Sequence, residues 1–350
     1  KPMLQTERCL NDRYRLQSSL GQNAGRQTWL AIDVAESPPT PVIIKLLAFS
    51  PQMSWDEFKL FEREAQVLES IEHSQIPKYR DYFSLDREVG EGLCWFCLVQ
   101  DYIPGRSIQQ LLDEGVRFTE VQVRSIATQV LDILTYLHNL SPPVLHRDIK
   151  PNNIIFQPEA SDENPDRSIL QGKVFLIDFG SVRDRAVAEG ATFTVVGTGG
   201  YAPPEQLWGR ATPKSDLYAL GATLIHLLTG KPPVDLPQKR MRLQFREFAY
   251  LTPQFADWLD KLIDPAPERR FSAAHLALEA LKSDHLANHN PLTASSVSEP
   301  IERSKSTSRR ILPWALYGIA GCAAFWLSSK TAIEKLKPLN LEARSSIHTM

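Results

Sequence analysis

His146-Arg147-Asp148-Ile149-Lys150-Pro151-Asn152-Asn153, followed further along by Asp178-Phe179-Gly180, is the stretch on which the fold turns. The two segments supply the side-chain oxygens of Asp148, Asn153 and Asp178 and the ammonium of Lys150. That set suits a metal-bound triphosphate and a hydroxyl nucleophile. Asn and Asp offer hard oxygen ligands to Mg²⁺, a second Asp can accept a hydroxyl proton, and Lys neutralises charge on a transferred phosphoryl group. An Asp-Phe-Gly alone recurs by chance; the upstream segment gives it weight.

Outward from this stretch, size and composition set bounds. A chain of 350 residues, 43% hydrophobic and 23% charged, buries a full core and is long enough for two lobes. A net charge of -2 gives no reason to expect nucleic acid as a partner. Cys9, Cys94, Cys97 and Cys322 are scattered and do not read as a disulfide framework. Cys94 and Cys97 form a C-x-x-C pair, but Cys94-Trp95-Phe96-Cys97-Leu98-Val99 reads as a buried strand. Residues three apart on a strand face opposite ways, and no second pair completes a zinc site. No secretory signal is read at the N-terminus, and the opening Lys1-Pro2 suggests a start that was lost or recut.

From Tyr14 to about Leu98 the pattern is short strands with turn punctuation. Thr28 to Ile32 and Val42 to Leu47 are β-rich runs separated by Ser37-Pro38-Pro39-Thr40-Pro41. Phe58, Phe61, Ala65, Leu68 and Ile71 follow helical spacing across Asp56 to Ile71. From Ile108 onward helices dominate; Val121 to Leu140 keeps the period and stops before Pro142-Pro143. A small β-rich half therefore precedes a larger helical half, with Tyr102-Ile103-Pro104-Gly105 as the joint. The acidic stretch Pro158 to Asp166 reads as a surface loop between two strands.

With these motifs in this order, the chain resembles the eukaryotic-type protein kinases, and is similar to their bacterial and cyanobacterial members. The resemblance spans roughly Tyr14 to Leu281. It implies an α+β, two-lobed fold, with an N-lobe over residues 14–103 and a C-lobe over 104–285. It further implies ATP with Mg²⁺ (Mn²⁺ as the alternative ion) and protein substrates. Asp148 would orient and deprotonate the substrate hydroxyl and Lys150 would contact the transferred phosphoryl. Asn153 and Asp178 would hold metal. His146 and Phe179 would support the architecture, packed with Leu68. Lys150-Pro151-Asn152-Asn153 has the serine/threonine rather than the tyrosine form, and Gly197-Thr198-Gly199-Gly200-Tyr201-Ala202-Pro203-Pro204-Glu205 agrees. Thr198 would bond the catalytic Asp and Lys, and Glu205 would pair with Arg270, or failing that Arg269. Asp216 resembles the buried Asp that anchors the catalytic loop. Arg147 ahead of Asp148 implies a phosphate on the activation segment, with Thr192 and Thr194 as acceptors unless they are ordinary loop threonines.

Lys45, which alone would pass for a surface lysine, matches the family's strand lysine. Its helix partner is Glu64, favoured by alignment of the Arg-Glu-Ala step, with Glu62 as the solvated neighbour. Asp101 and Ile103 would hydrogen-bond the adenine through their backbone, with Gln100 beside them as gatekeeper. The glycine-rich turn departs from G-x-G-x-x-G. Here it runs Gly21-Gln22-Asn23-Ala24-Gly25-Arg26, with Gly21 in register, Asn23 and Arg26 at the other glycine positions and Gly25 one place early. Asn23 tolerates unusual dihedrals. Arg26 either clashes with the phosphates or supplies a charge that pairs with them. Ile43 stands where the family usually has Ala, and narrows the adenine pocket. A pseudokinase scaffold with weak nucleotide binding is therefore the alternative; the retained Lys45, Glu64, Asp148, Asn153 and Asp178 speak against it. A small-molecule phosphotransferase is a further rival, against which the Gly197-to-Glu205 segment speaks.

Residues 286–310, rich in Asn, Ser, Thr and Pro, read as a flexible linker. Ile311 to Ser329 carries no charge, is flanked by Arg309, Arg310 and Lys330, and has Trp314 and Trp326 near its ends. This reads as a transmembrane helix, with a buried soluble helix or interfacial segment as the alternative. Residues 330–350 form a short tail. Charge does not settle orientation, but ATP use would place the kinase domain of such a single-pass protein in the cytoplasm.

Overall fold

A computed structural model describes residues 4–288 apart from 24, 51–52, 91, 159–171, 181–182 and 185–198. Its first half is a six-stranded sheet in the order β1-β2-β3-β4-β6-β5. The strands are β1 (Cys9–Leu10), β2 (Tyr14–Asn23), β3 (Arg26–Asp33), β4 (Thr40–Phe49), β5 (Tyr79–Leu85) and β6 (Cys94–Asp101). All neighbours pair antiparallel. Side chains alternate across the sheet. One face sends Trp29, Ala31, Val42, Ile44, Leu46, Cys97 and Val99 into a small outer core. From the opposite face Leu47 and Leu98 enter the larger core that continues into the helical half. The same alternation buries Cys97 and leaves Cys94 half-exposed, and burial pushes the Cys97 thiol up, so it stays protonated.

Helix α1 (Trp55–Ser70) follows β4. Ser54 caps it: its Oγ accepts from Glu57 N at 3.1 Å while Ser54 N donates to Glu57 Oε2 at 2.9 Å. Phe61, Glu64, Ala65 and Leu68 form its buried stripe, at helical spacing. Glu64 is the one charged member, which marks a position kept for chemistry rather than packing.

The joint between the halves is short. β6 ends at Asp101 and β7 (Arg106–Ser107) begins after Gly105. A Cβ at Gly105 would lie 2.3 Å from Phe156 O, and its φ is +146°, so only glycine passes there. The helical half comprises α2 (Ile108–Asp113), α3 (Glu120–His138), α4 (Pro204–Leu207), α5 (Pro213–Thr229), α6 (Pro253–Leu262) and α7 (Ala274–Asn288). Buried Val123, Ile126, Val130 and Leu134 of α3 and Leu217, Leu220, Leu224 and Ile225 of α5 make its centre. α5 ends at Gly230, whose φ of +65° supplies the left-handed cap.

β8 (Val144–Leu145), β9 (Ile154–Gln157), β10 (Lys173–Leu176) and β11 (Arg183–Asp184) carry the central motif. β9 pairs with β10 and β7, and β8 with β11. The expected acidic loop falls between β9 and β10, and beyond Pro158 it lies outside the described residues. A hairpin of β12 (Gln238–Lys239) and β13 (Arg242–Leu243) completes the strands. α7 reaches Asn288. The remaining linker, the segment 311–329 and the tail lie outside the described residues; among those described, no helix is long and apolar enough to cross a membrane.

Candidate active site

Strand register decides what faces the cleft. Gly21 lies opposite Thr28, Thr28 opposite Lys45, and Lys45 opposite Leu98. Gly21 thus stands across Thr28 from Lys45, with nothing within 4 Å of where its side chain would be. Below this row lies a cleft of about 280 Å³ lined among others by Gly21, Arg26, Thr28, Lys45, Glu64 and Asp178.

Lys45 Nζ sits 2.5 Å from Glu64 Oε1 and 2.7 Å from Asp178 Oδ1. Three segments distant in sequence therefore converge on one ammonium. Burial alone would lower the Lys45 pKa, but Asp178 and Glu64 together outweigh it and hold the amine above its ordinary range. Lys45 in turn keeps the Asp178 carboxyl well below the usual carboxylate range. Burial pushes Glu64 upward against the pull of Lys45. Glu62 points to solvent, so Glu64 is the partner.

Asp178 takes a left-handed backbone, φ +68°, which is uncommon outside glycine and is a form of strain found at functional sites. A Cβ on Gly180 would lie 3.1 Å from Glu64 Oε2, so the absence of a side chain there leaves room for the carboxylate. Phe179 is buried, and its ring meets His146 edge-on at 4.9 Å. Leu68 belongs to the same core cluster. Burial lowers the His146 pKa and keeps the ring neutral. Its two nitrogens then divide their roles: Nε2–H donates to Ile177 O at 3.1 Å, and Nδ1 accepts from Asp148 N at 3.4 Å.

The loop carrying Asp148 is fixed from beneath. Asp216 is fully buried on α5; its Oδ2 accepts from His146 N at 3.0 Å and its Oδ1 from Arg147 N at 2.8 Å. His138 Nε2 lies 2.9 Å from the same carboxylate. Burial disfavours the charged Asp216, but the His138 contact and the Arg147 N–H more than offset this and hold its pKa down. Gln206 Nε2 donates to Arg147 O at 2.6 Å, and Thr223 Oγ1 to Ile149 O at 3.2 Å. Above these anchors Lys150 Nζ lies 2.8 Å from Asp148 Oδ2. Asn153 Nδ2 donates to Asp148 O at 2.8 Å and to Asp148 Oδ2 at 3.1 Å. With its amide nitrogen so engaged, Asn153 keeps Oδ1 as the end available to a cation.

Glu205 and Arg270 form a buried bidentate pair, Nη1–Oε1 2.6 Å and Nη2–Oε2 3.1 Å, with Ser215 Oγ donating to Glu205 Oε1 at 2.8 Å. Arg269 is exposed, which leaves Arg270 as the partner. Asp101 closes β6, with its carboxylate 2.5 Å from Arg80 Nε; Ile103 follows beyond the strand, half-buried. Ile43 pairs in register with Gln100. Gly25 takes φ +87° at the hairpin turn, and Asn23 pairs through its backbone with Arg26. Thr192, Thr194 and Thr198 lie outside the described residues.

Sequence reasoning passed over Gln206 and Thr223, which hold the catalytic loop, His138, which contacts the Asp216 carboxylate beneath it, and Thr28, which lines the cleft. None of them carried a local signal; that Thr28 shares a face with Lys45 follows from the β3–β4 register.

The protein kinase domain family matches residues 14–283. The chain belongs to that family. Serine/threonine-protein kinase D of Synechocystis sp. is 38% identical over 78% of this chain and 52% of its own length. Serine/threonine-protein kinase B of the same organism is 34% identical over 78% and 47% respectively. Serine/threonine-protein kinase PknA of Nostoc sp. is 33% identical over 79% of this chain and 48% of its own. The chain thus spans about half the length of these relatives. Among solved structures, the kinase domain of Mycobacterium tuberculosis PknI superposes with a TM-score of 0.59 at 24% identity. That match covers 80% of this chain and 99% of the other, and concerns the fold.

Proposed function

We propose that this protein is a serine/threonine protein kinase that transfers the γ-phosphoryl group of Mg·ATP to protein hydroxyls. The observation that carries this is the convergence of Lys45, Glu64 and Asp178 on one cleft, at 2.5 and 2.7 Å. The Asp148–Lys150–Asn153 cluster stands on the loop fixed by Asp216. Asp178, with a carboxylate 44% exposed toward the cleft, and Asn153 would hold the divalent cation. Among the described residues no cluster of three or more His, Cys, Asp or Glu side chains could hold a metal unaided. This fits Mg²⁺, which binds through one or two protein oxygens and takes its remaining ligands from phosphate and water. Mn²⁺ would suit the same donors. The metal supplies charge neutralisation on the phosphate oxygens.

The protein's own residues then divide the work. Lys45 would hold the nucleotide phosphates, Lys150 would stabilise charge on the transferred group, and the Asp148 carboxylate would orient the attacking hydroxyl and take its proton. Asp101 and Ile103 would present backbone groups to the base. The Lys-Pro-Asn-Asn form of the catalytic loop and the serine/threonine kinases among the relatives favour serine and threonine as acceptors. Phosphorylation at Thr192 or Thr194, the contact of Thr198 with the catalytic loop and anchoring through 311–329 with the kinase domain in the cytoplasm belong to the same proposal. The pseudokinase alternative is less well supported, because every charged partner needed for Mg·ATP is retained.

Incubating the 350-residue chain in detergent with radiolabelled ATP, Mg²⁺ and a generic protein substrate tests this. Label on serine or threonine, absent in Asp178→Ala, is expected. No transfer to substrate or to the chain itself, together with no stabilisation by Mg·ATP, would overturn it.

A further inference from the structure

Arg26 occupies a glycine position of the turn over the phosphates, and its place in the sheet gives it a definite direction. Burial along β3 alternates: Gln27, Trp29 and Ala31 are buried, Trp29 and Ala31 in the outer core, while Arg26, Thr28 and Leu30 are only half-buried and project the other way. Thr28 is paired with Lys45 and Arg26 with Leu47, one step nearer the tip of the hairpin. Arg26 is thus the diagonal cross-strand neighbour of Lys45 on the cleft face, a relation that places residues about 7–8 Å apart. It lines the same cleft as Lys45, Glu64 and Asp178.

The charges in that cleft are unevenly committed. Lys45 is engaged by both carboxylates. Arg26 has none within ion-pair distance among the described residues, although its charge acts on Glu64 at longer range. Beside it Gly21 has no side chain and open space where a Cβ would stand. The row thus pairs an unobstructed space with a cation free to fill it. A guanidinium is suited to this position, since its planar fork matches phosphate oxygens and its charge persists at any working pH.

We infer that Arg26 is a phosphate-binding residue of the nucleotide site, its side-chain fork engaging the phosphoryl oxygens that a glycine turn would meet with backbone N–H groups. The inference rests on the kinase reading and deepens it. In this chain the cover over the phosphates holds them by charge, and affinity rises with the number of phosphates on the nucleoside.

The test is nucleotide binding to the 350-residue chain, measured by calorimetry with ATP, ADP and adenosine in Mg²⁺. Arg26→Ala and Arg26→Gly are expected to weaken ATP about 10- to 100-fold, the range of one charge-assisted hydrogen bond. Adenosine affinity should stay within about twofold, and Arg26→Lys should fall between. Melting temperatures serve as the folding control, since Arg26 has no ion-pair partner to lose among the described residues. If Arg26→Gly leaves ATP affinity unchanged, or tightens it, Arg26 is a bystander or an obstacle and the inference falls while the kinase reading stands. If the parent chain binds neither ATP nor adenosine, the kinase reading falls and takes this inference with it.

Discussion

The floor and the cover of the cleft are built on different principles. The floor, residues 146 to 149, is tied to α5 and α4 through Asp216, Thr223 and Gln206 by buried hydrogen bonds. The cover, the β2–β3 hairpin, has a ladder broken by register shifts between Leu16 and Ser18 and between Ser19 and Gly21. Leu20 on it is 55% exposed. Buried hydrogen bonds between distant segments hold the floor in place, while irregular pairing and an exposed apolar side chain near its tip leave the hairpin end freer to open. The difference teaches that positioning for chemistry is concentrated below, while the upper surface is left to admit and release its ligand.

The largest expected effect breaks the floor chemically. Asp148→Asn should lower kcat about 10²- to 10⁴-fold while leaving ATP binding intact, the usual weight of a general base. Single-turnover kinetics that stay within tenfold of the parent would remove Asp148 from that role. Next comes the structural tie beneath it. Arg270→Met leaves Glu205 buried without its partner and should cost about 3–5 kcal/mol in urea unfolding. Adding Glu205→Leu should restore much of that loss, because the uncompensated charge is then gone. A single variant as stable as the parent would show that the pair contributes nothing.

A smaller effect comes from pH. Burial lowers the pKa of His146 and His226, so both stay neutral in the folded chain while the unfolded chain takes up protons below about pH 6.5. The unfolded state then binds more protons, and stability must fall as pH drops through that point. Asp216 and Asp178, held below the carboxylate range, add a further loss below about pH 4 as the unfolded carboxylates protonate first. Thermal melts from pH 8 to 4 should show a plateau above 7 and a decline below about 6.5; a rise over that interval would reverse the sign.

The smallest effect concerns the cover alone. Gly21→Ala meets open space, so unfolding free energy should change by less than about 0.5 kcal/mol. The KM for ATP should nevertheless rise, since the methyl enters the row above Lys45. Destabilisation by 2 kcal/mol or more (about the scale of a packed core position) would mean the hairpin is as tightly built as the floor.

Much of the scaffold was legible beforehand because local patterns encode it. The helical spacing over Asp56 to Ile71 became α1 at Trp55–Ser70, and its start is fixed by the Ser54–Glu57 capping box. The strand lysine, the helix glutamate and the Asp-Phe-Gly were recognisable and stand within bonding distance of one another. The ties between distant segments were not legible. Gln206 and His138 are common residue types with no periodicity to mark them, and their partners lie 59 and 78 residues away. Arg26 was visible as a departure from a pattern, yet only register could tell that it shares a face with Lys45.

One feature of the site bears on how the chain comes to exist at all. Lys45 reaches Asp178 across 133 positions of sequence, whereas it reaches Glu64 across 19. Contacts of high sequence separation require a large loop to close before any reward is collected, which makes them late and slow to form. The Lys45–Glu64 arm can form early in synthesis; Asp178 cannot join until the first half and the catalytic loop have been made. During translation the molecule is therefore expected to remain chemically silent until the chain has grown past Asp178. Stalled nascent chains ending before Asp178 and after Arg270 would reveal this as an abrupt gain of nucleotide binding with length.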